Sequence, residues 1–237
     1  MKEYFDKLYL DGVLKFYKDI KKSLKNGEKK FIVTANPETF ITGTKDGGFD
    51  KLLNDDVTTL VPDGIGIVAA AKKLNYNVKE RITGVDLASE LLKVCNENEY
   101  SLALLGAKKD VLEMLVSKIK EEYPNIKIVL TQDGYNKDKD KFFDKIVDKN
   151  VDVCLVALGI PTQEKLIYKH IDRFSKGIFV GVGGSFDVLS GSKKRAPKIF
   201  IKLNLEWFYR IIKEPKRIKR FWNNNVKFLF SVKKNYK

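Results

Sequence analysis

Residues 151–158 read VDVCLVAL, an apolar run broken only by Asp152 and closed by Gly159. Apolar side chains at successive rather than alternate positions are what a strand covered on both faces requires. Comparable short runs, β-branched or apolar, lie at 31–35, 57–61, 101–106, 126–130 and 178–182. Between them, helical periodicity predicts helices at 64–74, 85–96, 109–122, 140–149 and 162–174. Strands alternating with helices predict an α/β fold. We expect a Rossmann-like, mostly parallel sheet with helices on both faces, whose ligands gather at the carboxyl ends of the strands.

The rest of the composition agrees. The chain has 237 residues and is 43% hydrophobic, enough for a substantial core. Cys95 and Cys154 both sit in apolar runs, as buried free thiols do, and suit a reducing cytoplasm. The N-terminus MKEYFDKLYLDG lacks the apolar segment of a signal peptide, and no stretch has the length and hydrophobicity of a membrane span. His170, the only histidine, lies among Lys and Tyr and is expected at the surface. Asp138 and Asp140 spell Asp-x-Asp, but within NKDKDK they read as a solvated helix start, and no metal-ligand cluster is evident.

Charge divides the chain in two. Residues 193–237 hold 15 Lys/Arg and 2 Asp/Glu, a net of +13, whereas residues 1–192 hold 30 and 29, a net of +1. We therefore expect an α/β catalytic domain over 1–192 and a basic, aromatic appendage over 193–237. Such asymmetry calls for a polyanionic partner, either nucleic acid or an anionic membrane face. Residues 198–213 (KIFIKLNLEWFYRIIK) read as one amphipathic helix ended by Glu214-Pro215. Residues 216–230 then place Ile218, Phe221, Trp222, Val226 and Leu229 at helical spacing. That stripe suits either lipid or the protein's own core, and it also offers a face for a homo-oligomer. A solvated phosphate-binding arm needs no such stripe, so no nucleic-acid partner is expected.

Five segments carry polar residues at predicted strand ends. TANPETF (34–40) offers Thr34 and Asn36, or an Asn-Pro turn. VPDGIGIVAAAK (61–72) offers Asp63, as a turn residue or as a carboxylate general base for a sugar hydroxyl. ERITGVDL (80–87) offers Arg81, whose guanidinium suits a diphosphate. LGIPTQEK (158–165) offers Gly159 and Gln163, the amide suiting a uracil edge or sugar hydroxyls. GVGGSFDVLSG (181–191) offers Gly183 and Gly184, where a ligand can approach the backbone near a helix N-terminus.

In this order, and with the tail segment LEWFYRIIKEPKRIKR (205–220), the set resembles the WecG/TagA/CpsF glycosyltransferase family across roughly residues 31–220. The resemblance implies an inverting transfer, without a cofactor or an Asp-x-Asp-bound metal, at the cytoplasmic face of the cell membrane. It implies a UDP-sugar donor, N-acetylmannosamine or its uronic acid, and an undecaprenyl-diphosphate-linked N-acetylglucosamine acceptor. The product would enter teichoic acid, enterobacterial common antigen or capsule synthesis. It further implies that Asp63 is the base, that Thr34 and Asn36 line the catalytic pocket, and that Arg81 and Gln163 contact substrate. Arg210, Arg217 and Arg220 would complete the site against a diphosphate. A catalytically inactive membrane scaffold is the remaining rival, and the joint presence of Asp63, Thr34 and Asn36 argues against it.

Overall fold

The computed structural model describes the backbone of residues 1–235, with all side chains in that range except those of Arg217, Arg220, Asn224 and residues 233–235. Six strands form one sheet: β1 (Lys29–Ala35), β2 (Thr58–Pro62), β3 (Ser101–Gly106), β4 (Lys127–Gln132), β5 (Val153–Ala157) and β6 (Gly177–Gly181). Their order is β2-β1-β6-β5-β3-β4, and every pairing is parallel rather than mostly so.

The continuous apolar runs have their reason in this arrangement. All five residues of β5 and of β6 are buried. Along β1, Phe31 and Val33 join one hydrophobic cluster and Ile32 the other, so the sheet has a core on each face. Helices Val13–Lys25, Gly84–Asn98 and Lys109–Glu122 cover one face. Helices Pro37–Gly43, Gly47–Asn54, Ile65–Lys73, Asp140–Val147 and Thr162–His170 cover the other. The edge strand β4 is only partly buried, as a strand with one neighbour should be. The outer edge of β2 is covered by the N-terminal segment, where Tyr9 N donates to the Leu60 carbonyl at 2.8 Å.

Three expectations change. His170 is not a surface residue; its ring is buried, stacks on Phe143 at 4.7 Å and lies 2.6 Å from Asp140 Oδ1 through Nε2. Its position three residues after the buried Ile167 puts it on the inner face of its helix. The 198–213 segment is two helices, Lys198–Lys202 and Glu206–Lys213, separated by a turn in which Asn204 takes φ 58°. The last stretch is likewise divided: Arg217–Phe221, a π-helical turn over Trp222–Val226, and Lys227–Asn235.

The tail's apolar stripe divides between core and surface. Phe228 is fully buried between Phe5 and Phe40, with ring centroids 6.4 and 6.0 Å away, and Val232 is buried beside it. Phe221 stacks on Trp207 at 4.4 Å. Trp222, Phe230, Ile199, Leu203, Ile218 and Ile212 remain exposed. Among the described residues, no helix is long and apolar enough to cross a membrane.

Candidate active site

The five segments meet at the carboxyl ends of β1, β2, β5 and β6. Thr34, at the end of β1, is buried and donates its hydroxyl to the Gly181 carbonyl of β6 at 2.9 Å. Asp63 and Gly64 follow β2, and both of their N–H groups reach the Ala35 carbonyl, at 2.9 and 3.2 Å. A Cβ on Gly64 would come within 2.9 Å of Pro37 and 3.1 Å of Asn36, so the two loops touch only because residue 64 is glycine. Ile82 N donates to the Pro62 carbonyl at 2.9 Å, which brings Arg81 beside Asp63. Gly84, at the start of the helix Gly84–Asn98, lies against Ser185 and Thr34.

Asn36 caps the helix Pro37–Gly43. Its Oδ1 accepts from the N–H groups of Glu38 and Thr39 at 2.9 and 3.3 Å, and its own N–H donates to Thr39 Oγ1. The Asn-Pro pair therefore starts a helix, with Asn at N-cap and Pro at the first helical position. Gln163 is buried and joins the other two loops. Its Oε1 accepts from the N–H groups of Gly159 and Gly183, both at 3.0 Å, and its Nε2 donates to Glu164 Oε1 at 2.7 Å. Gly159 has φ 81° and Gly183 φ 50°, left-handed conformations that glycine adopts without strain. Gly184 N-caps the helix Ser185–Leu189 without a side-chain bond.

Arg81 links the site to the tail. Its Nε donates to the Asp63 carbonyl at 2.6 Å and its Nη1 to Asn204 Oδ1 at 3.2 Å. Its Nη2 lies 3.4 Å from Glu206 Oε2 and 3.6 Å from Asp63 Oδ1. Burial pushes the Asp63 carboxyl above the usual carboxylate range. Arg81, Arg210 and the Gly84 N–H oppose the rise, and the nearby Glu206 carboxylate adds to it. Arg210 is therefore close enough for its charge to act on Asp63, although its side chain is exposed. Arg217 and Arg220 lie on the helix Arg217–Phe221, but their side chains fall outside the described residues.

Three further residues of this region, Glu206, Arg195 and Glu164, are not among the candidates that the sequence suggests. Glu206 is buried and its Oε1 meets Arg195 Nε at 3.4 Å. Arg195 also forks onto Asp86, with Nη1–Oδ1 2.6 Å and Nη2–Oδ2 2.8 Å. Burial alone would raise the Asp86 carboxyl; hydrogen bonds from Arg195 and Thr83 bring it below its usual range. Glu164 is fully buried, its Oε2 has no hydrogen-bond partner, and burial pushes it up to about 7. Among the described residues, no group of three or more His, Cys, Asp or Glu could hold a metal ion.

The cleft thus offers a partly exposed carboxylate of raised pKa among arginines, with backbone N–H groups at helix starts and glycine loops nearby. That combination suits removal of a hydroxyl proton next to a departing anion. Comparison with known proteins gives it a family. A 46% identical protein of Bacillus subtilis (strain 168), matched over 80% of this chain and 73% of its own length, is named N-acetylglucosaminyldiphosphoundecaprenol N-acetyl-beta-D-mannosaminyltransferase. Proteins of the same name from Bacillus spizizenii and Staphylococcus aureus (strain MW2) are 39% and 36% identical, over 80% and 86% of this chain and 74% and 80% of their own lengths. The family model described as "Glycosyl transferase WecG/TagA/CpsF family" matches residues 5–237, and the chain belongs to that family.

Proposed function

We propose that this protein transfers N-acetylmannosamine from a UDP donor to undecaprenyl-diphosphate-linked N-acetylglucosamine, with inversion. The relatives' shared name supports the sugar and the acceptor. The observation that carries the mechanism is Asp63, partly exposed at the end of β2 with Arg81 3.6 Å away. Asp63 takes the proton of the acceptor hydroxyl as its oxygen attacks the anomeric carbon. The bond from that carbon to the UDP oxygen breaks, and the diphosphate leaves with the electron pair. Arg210, Arg217 and Arg220 meet its developing charge, helped by the backbone N–H of Gly184 in the loop after β6. Thr34 and Asn36 keep the loops of β1, β2 and β6 in register around the base. Gln163 does the same for the Gly159 and Gly183 loops.

We further propose the division of labour between residues 1–192 and 193–237. The body carries the reaction. The tail contributes arginines and seats the enzyme on the inner face of the cell membrane, where its acceptor lies. Each Lys or Arg near an anionic leaflet contributes about 1 kcal/mol, and exposed Trp222 and Phe230 add apolar burial. The product would enter cell-surface polysaccharide synthesis of the teichoic acid kind. Incubation with a panel of UDP-sugars and a short-chain lipid-diphosphate-N-acetylglucosamine acceptor, read by mass spectrometry, tests the reading. The expected result is acceptor heavier by one N-acetylhexosamine with UDP-N-acetylmannosamine. Failure of every UDP-sugar to modify the acceptor would overturn it.

A further inference from the structure

The tail's 15 basic residues are accompanied by only two acids, and one of them is Glu206. It is not at the surface, where an acid in a basic segment would be solvated. It is buried, one oxygen against Arg81 and the other against Arg195. Burying a carboxylate is costly unless it is paired, so these two guanidiniums are what hold it there. Arg195 is held in turn by the two-oxygen fork onto Asp86, at the start of the helix Gly84–Asn98. Arg81 has each of its nitrogens engaged by the protein: one by the Asp63 carbonyl, one by Asn204 and one by Glu206. Two of those three partners belong to the tail. The guanidinium beside the proposed base is therefore a joint between body and tail.

We infer that Glu206 is a positioning residue. It pins Arg81 between Asp63 and the tail, so that docking of the tail is felt at the base. This rests on the reading of Asp63 as the base. The charged groups acting on Asp63 are Arg81 from its own side of the cleft, Arg210 and Glu206 from the tail helix Glu206–Lys213, and the Gly84 N–H from the facing helix. Burial is the largest influence against the carboxylate; of the neighbouring groups, the guanidiniums and the N–H favour it and the Glu206 charge opposes it. Neutralising Glu206 leaves Asp63 with only its favourable neighbours. Neutralising Arg195 leaves Glu206 less compensated and Asp86 without its ion pair, which acts in the opposite direction.

The test is a titration of the Asp63 carboxyl by carbon-13 NMR, its resonance assigned by its loss in Asp63→Asn. It is made on the full chain and on Glu206→Gln and Arg195→Gln. We expect the Asp63 midpoint to fall by about 0.5 to 1 pH unit in Glu206→Gln and to rise in Arg195→Gln. The acid limb of kcat should move with it in each variant. Loosening of the fold alone would lower kcat equally at all pH values and would not move the two midpoints in opposite directions. An unchanged Asp63 midpoint in both variants overturns the inference, and should Glu206→Gln fail to fold, an unchanged midpoint in Arg195→Gln does so alone. If the midpoints shift as stated but the kcat limbs do not follow, Glu206 keeps its influence on Asp63 and the assignment of Asp63 as base fails instead.

Discussion

The body and the tail use apolar residues in opposite ways. In residues 1–192 the six strands lie between two buried clusters, and the charge nearly cancels at +1. In residues 193–237 the charge is +13, and among the described residues the large apolar side chains from Ile199 onward are exposed or half-buried, save for Phe228 and Val232, which are buried. The body folds by hiding its apolar surface from water. The tail keeps much of its own available and spends little on a core. Its last helix is the exception, because Phe228 completes the cluster formed by Phe5 and Phe40. The tail is thus a structural member of the core at Phe228 and, on the proposed reading, an anchor at its exposed side chains, the two falling on neighbouring residues of one segment.

That contrast can be broken at several points. The largest effect is expected at the join. Phe228→Ala should cost about 3–5 kcal/mol of stability, as large-to-small changes at buried aromatic residues do, read by denaturant unfolding. A cost below about 1 kcal/mol would mean that the last helix is not part of the core. Within the body, Glu164 is an acid whose neutral form is favoured by burial. Its folded pKa of about 7 lies above its ordinary value of 4.5, so its stabilising contribution is full below about 4.5 and is lost as pH rises to about 7. The loss is on the order of 2–3 kcal/mol. Glu164→Gln should flatten the stability profile over that window, and an unaltered slope would show that Glu164 is already ionised.

Smaller effects belong to the tail's exposed face. Trp222→Ser should leave the unfolding midpoint unchanged and weaken binding to anionic liposomes roughly tenfold, as loss of one interfacial aromatic does. Equal binding by the variant would remove Trp222 from the membrane face. No effect at all is expected from excess EDTA, because arginines and backbone N–H groups are proposed to carry the charge of the departing diphosphate. Activity lost to EDTA and restored by magnesium or manganese would contradict that assignment.

Much of the fold was legible because a parallel sheet leaves a strong trace. The apolar runs at 101–106 and 151–158 had few readings other than buried strands. Short elements left weaker traces. The helix Pro37–Gly43 is absent from the sequence-based expectations, which place there pocket-lining polar groups or an Asn-Pro turn, although Asn at N-cap and Pro at the first position are both present. The split of residues 198–213 depends on Asn204 adopting a left-handed conformation, which helical periodicity does not report. The residues of the five segments do converge on one cleft. What their sequence could not convey is that Asn36 and Gln163 would have their side chains engaged by backbone N–H groups of the protein itself. Glu164 did have a signal: it shares a helical face with Ile167 and Ile171, and an acid at a core position calls for an explanation. Glu206 had one too, as one of only two acids in a strongly basic segment. Arg195 had none, because its role depends on partners 109 and 11 residues away in the chain.

The claim that the body performs the transfer from a carboxylate at the end of β2 is tested most directly at Asp63 itself. Turnover of UDP-N-acetylmannosamine with the short-chain lipid-diphosphate acceptor should be measured for the wild type and Asp63→Asn, with UDP binding and the unfolding midpoint followed in parallel. The account predicts a fall of roughly 100-fold or more in kcat, the range expected for losing a general base, with UDP binding and stability retained. Turnover in Asp63→Asn within a few-fold of the wild type would contradict it.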